Sequence, residues 1–274
     1  MRPLRLGSVP YVNAAPLTSW LHEPDCPFGF TIRYEPPNRL ATLLNEGALD
    51  LALVSSIELV RRPDLRYLPG PVIASEGPVL TVRVLCRNEP GQVRRLAADT
   101  SSLTSVALAR IWWRETYGYE PEILPMPPDV RSMLGRADAA LIIGALEAEA
   151  PLGLRVLDLG AAWHTMTRLP FVFAAWIGRD GLDWRTAAAL LNEALDRGMA
   201  QADALSGGWA RWLGQPTALV HGYLTETMRY RLTPTAEAGL RLFSAKCREH
   251  GILNGAYTPR SFGPCGDGEK MPDE

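Results

Sequence analysis

Over the first two thirds of the chain, short apolar runs alternate with helical periodicity, the pattern of an α/β architecture. Leu4–Ser8, Thr31–Tyr34 and Leu49–Val54 read as strands. Ala14–His22, Asn38–Glu46 and Ser56–Arg62 read as the helices that follow them. Gly47 stands where a helix closes in the left-handed conformation. Val79–Arg87 is a longer apolar strand after a turn-rich stretch. A second unit of the same kind begins with strand Val93–Ala98 and helix Val106–Tyr117, stopped by Gly118. Strands Ala139–Ile143 and Arg155–Leu159 and the β-prone run Phe171–Ile177 complete it. The remaining pattern is helical: Trp184–Ala204, Thr217–Arg229, and a helix opened by Thr233-Pro234, a good N-cap with proline in the first turn.

Two βα units, a long β run between them and a helical C-terminal section predict two lobes joined by two crossing strands. The crossings are expected near Val82–Asn88 and Phe171–Gly178. One lobe spans residues 1–87 and is completed by the helices of residues 178–254; the other spans residues 88–177. Residues 255–274, rich in Gly, Pro and charge, read as a frayed tail.

Composition narrows the function classes. With 274 residues, 47% hydrophobic and 21% charged, the chain can bury a sizeable core. A net charge of −2 gives no electrostatic footprint for nucleic acid. The N-terminus has no apolar stretch of the secretory kind, and the most apolar run, Leu169–Gly178, is about half of what a membrane helix requires. A cytoplasmic protein without a membrane partner is expected. Cys26, Cys86, Cys247 and Cys265 show no paired metal-ligand spacing, and His22, His164, His221 and His250 are equally scattered. Neither a metal site nor a serine-type triad is expected. Lys246 and Lys270 are the only lysines, which argues against Schiff-base chemistry.

In open α/β sheets, ligands bind beyond the carboxyl ends of the strands, where helix N-termini offer unpaired N–H groups to anions. The segments after the strands therefore carry the candidates: Asn13, Ser55 and Ser56, the hydroxyl-rich run Thr100–Ser105, and Gly144-Ala145. Each single Asn, Ser or Thr is also an ordinary helix cap. Thr100–Ser105 stands out because one cap would suffice. These residues point to a small polar or anionic ligand in an interlobe cleft, and leave open whether the protein is an enzyme or a binding protein.

A resemblance goes further. Leu6-Gly7-Ser8-Val9-Pro10-Tyr11-Val12-Asn13-Ala14-Ala15-Pro16-Leu17 resembles the opening of the chorismate dehydratases of menaquinone biosynthesis. The similarity recurs in order at Gly47–Ala52, Gly77-Pro78-Val79, Thr104-Ser105-Val106, Leu141–Gly144 and Asp158–Trp163, and is densest at Leu169–Trp176. The resemblance implies a two-lobed type 2 periplasmic-binding-protein-like α/β fold with an interlobe cleft, used as a cytosolic lyase. It implies conversion of chorismate to 3-[(1-carboxyvinyl)oxy]benzoate and water, the first step of the futalosine route to menaquinone, with no metal or organic cofactor. The family's active-site Asn and Ser fall on Asn13 and Thr81 as catalytic residues, while Ser56, Ser102, Thr104, Ser105 and Gly144 are expected to bind substrate. Where the family commonly has Asp after Ile-Gly, this chain has Ala145; where it has Gly before Leu-Pro-Phe, this chain has Arg168. The competing expectations are a non-enzymatic cytosolic carboxylate-binding protein and a sister enzyme acting on a related cyclic carboxylate.

Overall fold

A computed structural model of the chain describes residues 3–26, 29–99, 103–146, 153–253 and 255–263. The strands of these residues gather into two sheets. The first is built on the parallel trio β2 (Phe30–Tyr34), β1 (Leu4–Ser8) and β3 (Leu51–Ser55), with β1 in the middle. Beside β3 are added, all antiparallel, β10 (Phe171–Arg179), β4 (Leu65–Ser75) and β11 (Met228–Arg231). The second sheet has the order β7-β6-β8-β5-β9, formed by β5 (Val82–Cys86), β6 (Arg95–Asp99), β7 (Glu122–Met126), β8 (Ala139–Ile143) and β9 (Arg155–Asp158). Leu51–Val54 and Ala175–Ile177 are fully buried, as strands covered on both faces must be.

Two strands expected to cross between lobes do not: β5 lies wholly in the second sheet and β10 wholly in the first. The chain passes between sheets at residues 76–81 and again through α6 (Leu159–Thr167). The turn-rich stretch before β5 also proves to be a strand. In β4 the run Pro69-Gly70-Pro71 forms a bulge, and pairing to β10 resumes on either side of it. Proline is tolerated at a bulge because no ladder N–H is needed there.

The helices expected from the sequence are present as α1 (Ala15–Thr18), α2 (Pro37–Asn45), α3 (Ile57–Arg61), α4 (Leu103–Tyr117), α7 (Trp184–Ala200) and α10 (Pro234–Glu249), although Ala14–His22 is broken into 3-10 and α pieces. Gly47 and Gly118 take positive φ of 68° and 72° just beyond α2 and α4, as helix-closing residues do. Thr233 caps α10 by accepting from the Ala236 N–H at 3.2 Å. A short α5 (Val130–Arg136) was not foreseen. The expected helix at residues 184–204 breaks at Gln201 into α7 and α8 (Ala202–Leu213). The one expected at residues 217–229 ends after α9 (Thr217–Gly222), passes through a π-helical turn at Tyr223–Thr227, and becomes β11. Along β11, buried Met228 and Tyr230 alternate with exposed Arg229 and Arg231, the period of a strand.

The expected frayed tail needs correction over residues 255–263. Tyr257 donates its backbone N–H to Val60 O, Phe262 donates to Tyr67 O, and the Phe262 ring is buried. Backbone hydrogen bonds and one buried aromatic ring outweigh the Gly- and Pro-rich composition. Residues 264–274 lie outside the described residues.

Trp163 of α6, Phe171 of β10 and Phe243 of α10 meet edge to face, with ring centroids 5.1–6.3 Å apart. Each such pair contributes about 0.5–1.5 kcal/mol beyond area burial. This clamps α6 to the first sheet. Arg168 closes α6 in the left-handed region, at φ 60° and ψ 17°, where its N–H donates to His164 O. A side chain there costs about 1–2 kcal/mol that glycine avoids. Part of that gain is offset by the greater freedom of glycine in the unfolded chain. Arg168→Gly should therefore raise stability by about 1 kcal/mol in thermal or urea melts, with turnover unchanged. Arg168 departs from the resembling family at a backbone position and is not among the residues that line the cavity described below.

Candidate active site

Between the carboxyl ends of β1, β3, β6 and β8 lies a narrow cavity of about 70 Å³. Its walls come from both sheets. Val9, Tyr11 and Asn13 follow β1, Ser55 ends β3, and Ile73, Phe173 and Ala174 belong to β4 and β10. Thr81, Val82, Leu103, Thr104, Ser105, Ile143 and Gly144 approach from the second sheet and from the N-terminus of α4. Of the residues expected at the site, Asn13, Thr81, Thr104, Ser105 and Gly144 meet around this one space. Ser102 lies outside the described residues.

Ser56 is corrected. Its side chain is fully buried and donates to Val172 O at 2.7 Å, while its backbone N–H donates to Phe173 O. It ties α3 to β10 and does not line the cavity; its neighbour Ser55 does. Ser55 still belongs to strand β3, whereas Ser56 turns to helical φ −60° and ψ −22° at the start of α3, so a shift of one residue exchanges cavity for core.

The loop carrying Asn13 is held from behind. Asn13 lies in a 3-10 turn, Val12–Ala14, that runs into α1. Gly198 of α7 packs on α1 so closely that a Cβ there would stand 2.0 Å from Pro16 O. The C-terminal helix α7 thus sets where the Asn13 loop can sit. Asn13 Oδ1 is buried and has no hydrogen-bond partner. An unpaired buried acceptor costs about 1–3 kcal/mol, a cost retained in a site that a ligand satisfies.

Thr81 is placed by a strained turn. The Thr81 N–H donates to Val79 O at 2.8 Å across Leu80, whose φ is 63°. That is a γ-turn with a bulky residue at positive φ, an arrangement that costs on the order of 1–3 kcal/mol unless its surroundings enforce it. Asp158 enforces it. Its carboxylate accepts from the Val79 N–H at 3.0 and 3.1 Å, from the Leu80 N–H at 2.7 Å and, as the cap of α6, from the Ala161 N–H at 2.9 Å. Gly160 lets α6 come this near, because a Cβ there would lie 2.5 Å from Gly77 O. The motif Asp158-Leu159-Gly160 is thereby explained as the clamp on the Gly77–Thr81 turn. Gly144, at φ 77°, donates its N–H to Thr81 O at 2.9 Å, so this amide is committed to the turn.

Across the cavity, Thr104 Oγ1 accepts from the Ile57 N–H at 3.2 Å, a hydrogen bond between the two halves of the molecule. Leu103, Thr104 and Ser105 form the first turn of the 15-residue helix α4, whose N–H groups have no intrahelical acceptor. A helix start facing a cavity favours an anion there. Ala145 turns the other way, against the core patch around Leu85, Ala140 and Ile142, so its departure from the resembling family lies behind the cavity wall.

The lining residues include no Asp, Glu, His, Lys, Arg or Cys among those described. Burial pushes the Cys86 thiol to about 11, which keeps it protonated, a poor nucleophile. Tyr223 adjoins the site from behind. Its hydroxyl lies 2.9 Å from Thr81 Oγ1, and burial pushes it to about 12 despite the hydrogen bonds of Thr81 and Asn13, which pull the other way. Sequence reasoning missed Tyr223 because it sits 142 residues from Thr81, within a segment that reads as plain helix.

A family described as menaquinone biosynthesis matches residues 4–249 of this chain. The chorismate dehydratase of Thermus thermophilus is 31% identical over 264 residues, covering 89% of this chain and 95% of that protein. The chorismate dehydratase of Campylobacter jejuni is 30% identical over 174 residues, covering 61% and 64% of the two chains. Among solved structures, a protein from Archaeoglobus fulgidus superposes with a TM-score of 0.75 at 16% identity, covering 92% of this chain and 98% of that one. The periplasmic aliphatic sulphonate binding protein of Escherichia coli superposes with a TM-score of 0.63 at 17% identity, covering 100% and 97%. At these identities the structural likeness establishes a periplasmic-binding-protein fold and nothing about ligand.

Proposed function

The chain belongs to the menaquinone-biosynthesis family, and on that premise we propose that it is a chorismate dehydratase, a hydro-lyase that converts chorismate to 3-[(1-carboxyvinyl)oxy]benzoate and water. The observation that carries this reading is the 31% identity to a chorismate dehydratase over nearly the whole of both chains. The lining supports it: it includes the start of α4, which suits a carboxylate, and largely apolar side chains, which suit the edge of a ring.

The reaction breaks a ring C–H bond at the ether-bearing carbon and the C–O bond of the neighbouring hydroxyl. The C–H electron pair completes the aromatic ring, and the proton and hydroxide leave together as water. Aromatisation supplies the driving force, so the protein's task is positioning and charge stabilisation. With no acid or base side chain other than Tyr11 among the described lining residues, we assign the proton transfer to the substrate's own enolpyruvyl carboxylate. Asn13 and Thr81 hold the departing hydroxyl, and Thr104, Ser105 and the α4 N-terminus hold a carboxylate. The cleft then lies between a lobe on the first sheet and a lobe on the second. No helix among the described residues is long and apolar enough to cross a membrane, and we place the enzyme in the cytoplasm.

The direct test is incubation of purified protein with chorismate, with products followed by mass spectrometry. The reading requires a product lighter by one water whose ultraviolet spectrum is that of a substituted benzoate. Binding of chorismate without turnover would point to a sensor instead. Turnover of another cyclic carboxylate alone would point to a sister enzyme. In the same assay Thr81→Ser should retain or improve activity, because it keeps the hydroxyl and removes a methyl group. Thr81→Val, which keeps the shape and deletes the hydroxyl, should lower kcat at least 10-fold. Equal rates for the Val and Ser variants would remove Thr81 from the site.

A further inference from the structure

The hydroxyl of Tyr223 is brought to the back of the cavity by the π-helical turn between α9 and β11. Single π-turns of this kind concentrate at functional sites. A helix continued through this segment would carry the ring elsewhere, and the sequence pattern alone predicts such a helix. Tyr223 is 1% exposed and does not line the cavity itself. It stands behind both residues assigned above to the departing hydroxyl. Thr81 Oγ1 is 2.9 Å from its oxygen, and the Asn13 side chain is within hydrogen-bond reach.

We propose, building on the chorismate dehydratase reading, that Tyr223 is a positioning residue that fixes which atoms of Asn13 and Thr81 face the substrate. We assign the Asn13 amide NH₂ to the side of the Tyr223 oxygen, which leaves Asn13 Oδ1 pointing elsewhere, buried and unpartnered. With Asn13 placed on its acceptor side, the Tyr223 O–H is the donor of the 2.9 Å pair with Thr81 Oγ1, in which either oxygen could donate. Thr81 in turn keeps its hydrogen. Its one other contact, to Val79 O at 3.4 Å, lies beyond the ordinary range for an O–H donor. The site thus presents one acceptor, Asn13 Oδ1, and one donor, the Thr81 hydroxyl. An alcohol group is both donor and acceptor, and this pair satisfies both of its roles at once. The device selects a hydroxyl as the leaving group and supplies a hydrogen bond to its oxygen as the C–O bond breaks. A carbonyl or an ether at the same place would leave Asn13 Oδ1 unpaired.

Tyr223→Phe retains the buried ring and deletes the hydroxyl. It should lower kcat for chorismate on the order of 10-fold or more while KM stays within about threefold, because the lost interaction serves the breaking bond. The decisive readout is the double-variant cycle with Thr81→Val. If Tyr223 acts through the hydroxyl of Thr81, the double variant has nearly the kcat of Thr81→Val alone. Multiplicative losses in the double variant, or wild-type kcat in Tyr223→Phe, would overturn the positioning role. So would a loss that appears as KM alone, or one that is recovered on cooling below the variant's melting transition. Wild-type protein is the reference: if it does not dehydrate chorismate, the functional reading fails and this inference with it. Activity in the wild type with an unaffected Tyr223→Phe protein sinks the inference alone.

Discussion

Asn13→Ala should lower kcat for chorismate by on the order of 10²-fold or more in a protein that remains folded, the usual cost of losing one preorganised polar group at a reacting centre. The side chain adds no stability that the variant must replace. Its Oδ1 is buried without a partner, so truncation removes a desolvation cost. Thermal melting should consequently move little, and circular dichroism should not change. A variant that melts like the wild type and turns over chorismate at the wild-type rate would take Asn13 out of the mechanism. Asn13→Asp is the sharper companion. A carboxylate cannot donate to Tyr223, so both the polarity of the pair and the rate should be lost with little change in shape.

The second large effect is expected at Asp158, which touches no substrate. Asp158→Ala strips the cap from α6 and leaves the N–H groups of Val79 and Leu80 without their acceptor. Loss of the cap costs about 1 kcal/mol and each orphaned donor about 1 kcal/mol or more, so a destabilisation of about 3 kcal/mol is expected in urea unfolding. The effect on activity should be separable from that on stability. Without the clamp the strained turn at Leu80 relaxes, Thr81 shifts, and kcat falls by up to about 10²-fold even well below the melting temperature. Asp158→Asn tests the same point with less damage. One oxygen becomes an NH₂ group, and whichever side it occupies now sets a donor against a donor. Full activity in a folded Asp158→Asn protein would mean that the turn holds Thr81 unaided.

How much of this was legible in the sequence follows from the range of the forces involved. Helices ended by glycine or capped by threonine, such as α2, α4 and α10, are written in a few neighbouring residues, and they appear where the pattern puts them. The strands β1, β3 and β8 are short continuous apolar runs that nothing local contradicts. In sequence β4 reads as turns because Pro69-Gly70-Pro71 is a strong local signal; only pairing with β10 and β11 on its two sides makes it a strand. β11 is hidden for the converse reason: residues 217–229 carry a helical pattern, and the π-helical turn at Tyr223–Thr227 that leads into the strand has no local signal.

The site shows the same division. Asn13, Thr104, Ser105 and Gly144 follow strands in the sequence, so the rule that ligands gather at strand ends reaches them. Thr81 came through the resemblance, and its setting, a γ-turn under a distant carboxylate, has no local signature. Ser56 looked like Ser55, and a single step along the chain separates core from cavity. Tyr223 could have been found only by asking what satisfies the buried hydroxyl of Thr81, a question that needs coordinates.

The most direct test of the whole account is a crystal structure of the wild-type protein with the dehydration product bound. The account places the product's ring in the cavity between the two sheets, with the former hydroxyl-bearing carbon facing Asn13 Oδ1 and the Thr81 hydroxyl, and a carboxylate on the first turn of α4. Product bound in the groove beside Arg5, Asp50 and Arg179, at the opposite ends of the first-sheet strands, with the cavity at Asn13 vacant, would contradict it.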